Sequence, residues 1–315
     1  MEKLIVSKKY NGKKLNKFLL ENVPNLTYGL FCNTLRKKDI KINGKRVNKD
    51  CIIYEGDEIL AYINNNALSE KSENKIRNII QNLDIIFEDE NILILNKPSN
   101  IEVTGNNSLT SIVHSQFKNA KFKPMPCHRI DRNTTGLVLF AKNEESLNIL
   151  LEKFKNHEIE KHYLALVYGI PKIKNKKYEA YLFKDNKMSI VYISDIPKKG
   201  YSKIVTSFSV LETYKNNTSL LDIQIETGKT HQIRAHLAYL GYPIIGDGKY
   251  GKNTINKEFN QKYQLLCSYK LKFNFTSNSN ILNYLSGEEF SLPIKKFKNF
   301  YQKIWKSVVF FYYLV

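Results

Sequence analysis

The chain has 315 residues, 42% of them hydrophobic, and a formal charge of +19 at pH 7. Such a composition fits a globular protein of one large or two to three smaller domains, and the cationic excess points to nucleic acid ahead of an anionic membrane surface. Four widely spaced cysteines without a C-x-x-C pair argue against a zinc site or a disulfide framework and suit a reducing cytosol. The first residues lack the apolar core of a signal peptide, and no run reaches transmembrane length.

Leu15, Phe18 and Leu19 fall at i, i+3 and i+4, the spacing of one helical face. Thr27 can cap a second helix whose Leu30, Phe31, Thr34 and Leu35 repeat on one side and which ends in Arg36-Lys37-Lys38. Residues Ile40 to Val47 alternate apolar and basic positions around Asn43-Gly44, a strong hairpin signal. Cations on the second helix and on one hairpin face (Arg36, Lys37, Lys38, Lys41, Lys45, Arg46) would form a basic groove for structured RNA. A small domain with a solvated basic face fits the same residues. The segment resembles the RNA-binding domain of ribosomal small-subunit protein S-four. That resemblance rests on Lys14-Leu15-Asn16-Lys17-Phe18-Leu19, with Asn16 where Asp is usual, and on the Ile40–Val47 hairpin.

Polar residues 64 to 74 read as a linker, with a short helix expected over Ile76 to Leu83. Asp84 to Asn91 reads as a strand and turn, and Ile92 to Lys97 as a buried strand stopped by Pro98. Lys97 and Glu102 are candidate site residues, although surface positions at a strand end fit them better. Residues 107 to 118 have helical spacing, and Asn143 caps a further helix carrying Leu147, Leu150, Leu151 and Phe154. The apolar tail from Val308 to Val315 reads as a terminal packing segment.

Three stretches carry chemistry. His128-Arg129-Ile130-Asp131-Arg132-Asn133-Thr134-Thr135-Gly136 sets one carboxylate between two arginines, directly before a buried strand. A capping or structurally paired aspartate fits there as well as a nucleophile or base. Lys161 to Gly169 reads as a strand covered on both faces. In Thr227 to His236, Ile233, Leu237 and the later Leu240 form an apolar stripe that turns His231 and Arg234 elsewhere, and Gly241 sits at the C-terminal cap. His231 and His236 are five apart, which argues against a helical zinc pair. Gly246 to Gly251 reads as a tight turn.

Together these motifs resemble the RluA family of RNA pseudouridine synthases over nearly the whole chain. The resemblance implies an α+β protein: a mostly antiparallel mixed-sheet catalytic domain over 84–315, a small α+β RNA-binding domain over 1–63, and a linker over 64–83. It further implies isomerisation of uridine to pseudouridine in structured RNA, without metal or cofactor, by a cytoplasmic monomer that does not engage membranes. Large-subunit ribosomal RNA is the preferred substrate and transfer RNA the alternative. By the same resemblance Asp131, Tyr163 and Arg234 are catalytic and Arg129 helps displace the target base. His128, Arg132, Lys229 and His231 join the basic residues of the first domain as RNA contacts. Three departures stand out: Asn100 where Gly is usual, Lys229 for Arg, and Leu266-Cys267-Ser268 for Leu-His-Ala. A non-catalytic ribosome-assembly factor and a glycosylase that releases the base remain as other readings.

Overall fold

A computed structural model describes residues 2–23, 26, 28–62, 83–295 and 297. The expectations for Thr27, for the linker and its helix up to residue 82, and for the 308–315 tail lie outside the described residues. The chain forms two compact units, Met1–Asn78 and Ile79–Val315.

In the first unit β1 (Glu2–Ile5), β3 (Ile40–Ile42), β4 (Lys45–Val47) and β6 (Glu58–Ala61) make one sheet in the order β1-β6-β3-β4, and β2 (Lys13–Lys14) pairs with β5 (Ile52–Ile53). Helices α1 (Leu15–Asn22) and α2 (Tyr28–Arg36) bury the anticipated residues Leu15, Phe18, Leu19, Phe31 and Leu35. The Asn16 N–H at the start of α1 donates to Asp50 Oδ1 (3.0 Å), a cap supplied from a distant turn. Asn43 (φ 49°) and Gly44 (φ 79°) give the hairpin turn its left-handed pair. The cations are less one-sided than the alternation suggested. Lys41 lies opposite Arg46 on one face, whereas Lys45 lies opposite Ile42 on the other, because consecutive residues of β4 point to opposite faces and the two-residue turn pairs Lys41 with Arg46.

The second unit is built on an eleven-stranded sheet. Its path is β13 (Ile190–Ser194), β12 (Asn175–Asp185), β14 (Ser202–Tyr214), β15 (Thr218–Ile225), β11 (Ile159–Tyr168), β16 (Leu266–Phe273), β10 (Thr135–Ala141), β8 (Ile92–Lys97) and β7 (Ile85–Glu88). Strands β9 (Met125–Pro126) and β17 (Glu289–Ser291) join it from the side. Every pairing is antiparallel except β10 with β16. Both faces of the central strands are covered, which explains their unbroken apolar runs. Leu137, Leu139, Leu164 and Leu166 pack on one side with Leu150 of α4 (Glu144–Lys155). Val138, Phe140, Tyr163 and Ala165 pack on the other with Leu109 of α3 (Leu109–Gln116) and with Ile233 and Leu237 of α5 (Gln232–Tyr239). A further short helix, α6 (Asn253–Glu258), follows α5.

Asn143 caps α4 as anticipated, its side chain accepting from the Ser146 N–H at 2.8 Å, but Leu151 is 46% exposed, and of the four anticipated apolar residues only Leu150 is fully buried. Gly136 opens β10 at φ 108°, where a Cβ would stand 2.1 Å from the Ser268 carbonyl oxygen. Only glycine allows β10 and β16 to approach so closely.

Candidate active site

The loop from Cys127 to Thr134 joins β9 to β10 and is pinned at both ends. The Cys127 N–H donates to Leu139 O (2.8 Å), and the Leu139 N–H donates to His128 Nε2 (3.1 Å). At the far end the Thr134 N–H closes a turn on Asp131 O (3.1 Å), and Thr134 Oγ1 accepts from the buried Gln264 amide (3.2 Å). Lys97 anchors the middle. Its Nζ donates to Pro98 O, Ile101 O and Arg132 O at 2.9, 2.9 and 3.0 Å. The residue is fully buried, not the surface position expected at a strand end, because the strand runs under this loop and the ammonium satisfies three carbonyls that water cannot reach. Burial pulls it down to about 7, against the charge of nearby Asp131. Asn100, where glycine is usual, adopts φ 66°, a left-handed conformation that asparagine tolerates better than most residues.

Neither flanking arginine pairs with Asp131. Arg129 and Arg132 are exposed and form no ion pair among the described residues. The partner is Arg234, whose Nη1 donates to Asp131 Oδ2 at 2.8 Å. Arg234 is aimed by Asp247, which takes Nε on Oδ2 (2.7 Å) and Nη2 on Oδ1 (3.0 Å). Asp247 has no exposed surface and also accepts from the backbone N–H groups of Lys249 (2.8 Å) and Tyr250 (3.1 Å). Burial works against its charge, but the Arg234 hydrogen bonds hold its carboxyl below the usual range. Burial likewise opposes the Arg234 charge, and the two carboxylates outweigh it. The Tyr250 ring covers the guanidinium, 5.3 Å from Cζ to centroid. Two parallel bonds fix the plane of Arg234 and leave Nη1 for Asp131. Asp131 Oδ1 has no donor among the described residues and belongs to a cleft.

The start of α5 holds this geometry. His231 takes a left-handed conformation (φ 54°) as the N-cap, and its Nδ1 lies 2.9 Å from Tyr250 Oη. Gln232 is buried: its Oε1 accepts from Thr227 Oγ1 (2.8 Å) and the Lys229 N–H (3.1 Å), and its Nε2 donates to Val205 O (3.0 Å). The helix therefore starts against β14 with Arg234 turned to Asp131.

The cleft encloses about 870 Å³. Asp131, Tyr163, Arg234, Arg129, Arg132, His128, Lys229 and His231 all line it, with Ile130, Ile225, Ile233 and Leu266 as apolar wall. Tyr163 projects from β11 opposite Ser268 and Ile223 and is 5% exposed; burial pushes its phenol well above the ordinary range, which favours the neutral form. His128 is held neutral, at about 3, by burial and by Lys161. Arg36, Lys37, Lys38, Lys45 and Arg46 are exposed in the first unit, and Lys41 is partly covered, its Nζ 5.7 Å from the centre of the Tyr62 ring. Among the described residues no cluster of His, Cys, Asp and Glu could hold a metal ion, and the cysteines are free thiols.

Sequence reasoning missed Asp247, Lys161 and Gln232, and it set Lys97 at the surface ahead of the site. The signal for Asp247 was an acidic residue between two glycines, shortly after the helix that presents Arg234. Gly246, at φ 80°, leaves room for only a hydrogen beside Tyr263 O, so the segment is the tight turn expected, folded around a buried carboxylate.

The profile of a family described as RNA pseudouridylate synthase matches residues 91–239. "Ribosomal large subunit pseudouridine synthase C" of Rickettsia bellii is 34% identical over 78% of this chain and 84% of its own length. An "Uncharacterized RNA pseudouridine synthase" of Mycoplasma capricolum is 33% identical over 91% of this chain and 96% of its own. Among solved structures, "Human RNA Pseudouridylate Synthase Domain Containing 4" shares the fold, with a TM-score of 0.56 and 18% identity over 71% of this chain and 92% of that one. A carboxylate steered by a guanidinium in an apolar-walled cleft thus sits within a sequence likeness that spans most of the chain, and the chain belongs to the RNA pseudouridine synthase family.

Proposed function

We propose that this synthase modifies large-subunit ribosomal RNA, with Asp131 as the carboxylate that acts on the target ribose. The observation that carries the assignment is the Asp131–Arg234 contact, backed by Asp247, which leaves one carboxylate oxygen free in the cleft. The C1′–N1 bond breaks, the uracil turns, and C1′ joins C5; N1 gains a proton and C5 loses one. Asp131 Oδ1 either bonds C1′ transiently or takes a proton from the sugar, and Arg234 keeps its partner oxygen in place. Tyr163 supports the base and, as a phenol, can accept a proton only after giving up its own. Arg129 at the cleft rim would fill the stack that the uridine leaves, lowering the few kcal/mol that extrusion costs.

Residues 1–63 serve as the S-four-like RNA-binding domain, tethered by 64–83 to a catalytic domain over 84–315. Support for the large-subunit substrate comes from the names of curated relatives such as that of Rickettsia bellii. The test is tritium release from C5-tritiated uridine in large-subunit ribosomal RNA and in transfer RNA, by the wild type and by Asp131→Asn. We expect release from the ribosomal RNA by the wild type only, with pseudouridine mapped at the site. Release from transfer RNA alone would reassign the substrate. An abasic product would mean hydrolysis, and no release would mean a binding factor.

A further inference from the structure

Two lysines of the second unit, Lys97 and Lys153, are buried and a third, Lys161, is half-buried in the cleft wall, and they differ in what receives them. Lys97 gives its protons to three backbone carbonyls. Lys153 meets Glu158 at 2.8 Å together with Ser277 O and Oγ at 3.0 and 2.6 Å. Lys161 has no hydrogen bond and no ion pair among the described residues. Its Nζ rests 5.0 Å from the centre of the Phe154 ring and close to Gly228, and it lines the same cleft as Asp131. A half-buried ammonium is shielded from part of its water, and an aromatic face attracts its charge but offers no hydrogen-bond acceptor.

No neighbouring protein group competes for it. Asp247 is committed on both oxygens, and neither Asp131, which keeps Oδ1 open for substrate, nor Glu102 of the cleft lining forms an ion pair with it. His128 shares the Phe154 ring, 5.1 Å between centroids, and adds no charge. Burial pulls Lys161 down from its ordinary value, as a cation without a counter-charge should be. Lys161 also stands two residues before Tyr163 on β11, so alternation puts both side chains on the same side of the strand. Its partner therefore arrives with the substrate.

We infer that Lys161 Nζ is the anchor of an anion subsite that takes a phosphodiester of the RNA strand next to the nucleotide seated over Asp131. This rests on the reading of the cleft as the site of an RNA-modifying reaction. A phosphate oxygen satisfies the ammonium in both charge and hydrogen bonding, which a uracil carbonyl does not. Fixing the backbone beside the target nucleotide would hold the ribose over Asp131 while the base turns, so Lys161 acts as a positioning residue.

The test compares uridine, uridine 3′-monophosphate and uridine 5′-monophosphate as ligands, followed by protein NMR in about 0.2 M salt to screen the exposed cations. For the wild type we expect one monophosphate to bind about ten-fold more tightly than uridine. That preference should vanish in Lys161→Met, which keeps the stem and drops the charge, and persist in Lys161→Arg. Which monophosphate is preferred identifies the side of the nucleotide. A preference that survives in Lys161→Met overturns the subsite, as does an equal weakening of uridine and both nucleotides. Tritium release reports separately on the RNA reading. An active enzyme with no Lys161-dependent preference removes the subsite alone; an inactive protein that keeps the preference removes the RNA reading alone.

Discussion

Replacing Asp247 by asparagine removes one negative charge from the interior and tests whether Arg234 is aimed by it. The carboxylate accepts four hydrogen bonds, two from Arg234 and two from the backbone of Lys249 and Tyr250. An amide can still serve the backbone pair through its oxygen, but its NH₂ then faces an Arg234 N–H, donor against donor. Breaking a buried ion pair costs about 3–5 kcal/mol; with Asp131 still in contact the lower end applies, about 3 kcal/mol. In urea this is a fall of roughly 1 M or more in the unfolding midpoint at unchanged slope. A guanidinium released from its plane shifts Nη1 away from Asp131, and a displacement of about 1 Å at a reacting centre can lower the turnover rate about 100-fold. Because Asp247 has no exposed surface, KM for RNA should stay within about two-fold. Urea denaturation followed by circular dichroism, with steady-state tritium release, measures all three quantities. Turnover close to wild type despite the stability loss would refute the claim that Asp247 orients Arg234, and a raised KM with intact turnover would move Asp247 to RNA binding.

Three further outcomes follow from the geometry. Gly136→Ala should destabilise by more than about 3 kcal/mol or fail to fold, since a Cβ would stand 2.1 Å from Ser268 O; a melting temperature within a few degrees of wild type would contradict it. Glu158, held at about 2 by the Lys153 hydrogen bond against the opposing effect of burial, is depressed below its ordinary 4.5. Its stabilisation is full above pH 4.5 and lost as pH falls toward 2. Glu158→Gln should therefore flatten the acid limb of the stability curve by roughly 2–3 kcal/mol, and an acid limb unchanged from wild type would exclude this pair as its source. The triple change Arg36→Ala, Lys37→Ala and Lys38→Ala should weaken RNA binding and make the slope of log K against log salt shallower by about 2 to 3; an unchanged slope would place the RNA elsewhere.

Local pattern revealed what depends on neighbours in the chain. The stripe of Ile233, Leu237 and Leu240 placed Arg234 on the opposite side of α5, and the apolar run after Gly136 identified β10 as buried. The alternation in Lys161–Tyr168 read as a strand covered on both faces, which the layers above and below β11 explain. What stayed hidden is nonlocal. Asp131 lies between two arginines in the chain yet pairs with a third, 103 positions away. Lys97 reads as the polar end of a strand because nothing nearby indicates that the loop before β10 closes over it. Lys45 and Arg46 are consecutive on β4, so alternation already sends them to opposite faces; what it leaves open is which of them shares a face with Lys41, and the two-residue turn decides that by pairing Lys41 with Arg46.

The sheet covered on both sides also governs which parts of the molecule can open. Tyr163 lies on β11, hydrogen-bonded between β15 and β16, with packed side chains above and below it. Amide protons along β10, β11 and β16 should exchange with solvent only when the whole unit unfolds, whereas those at the β13 edge exchange through fraying. The wall of the cleft is thus as durable as the domain itself. Substrate entry must be accommodated by the loops around it and by the RNA.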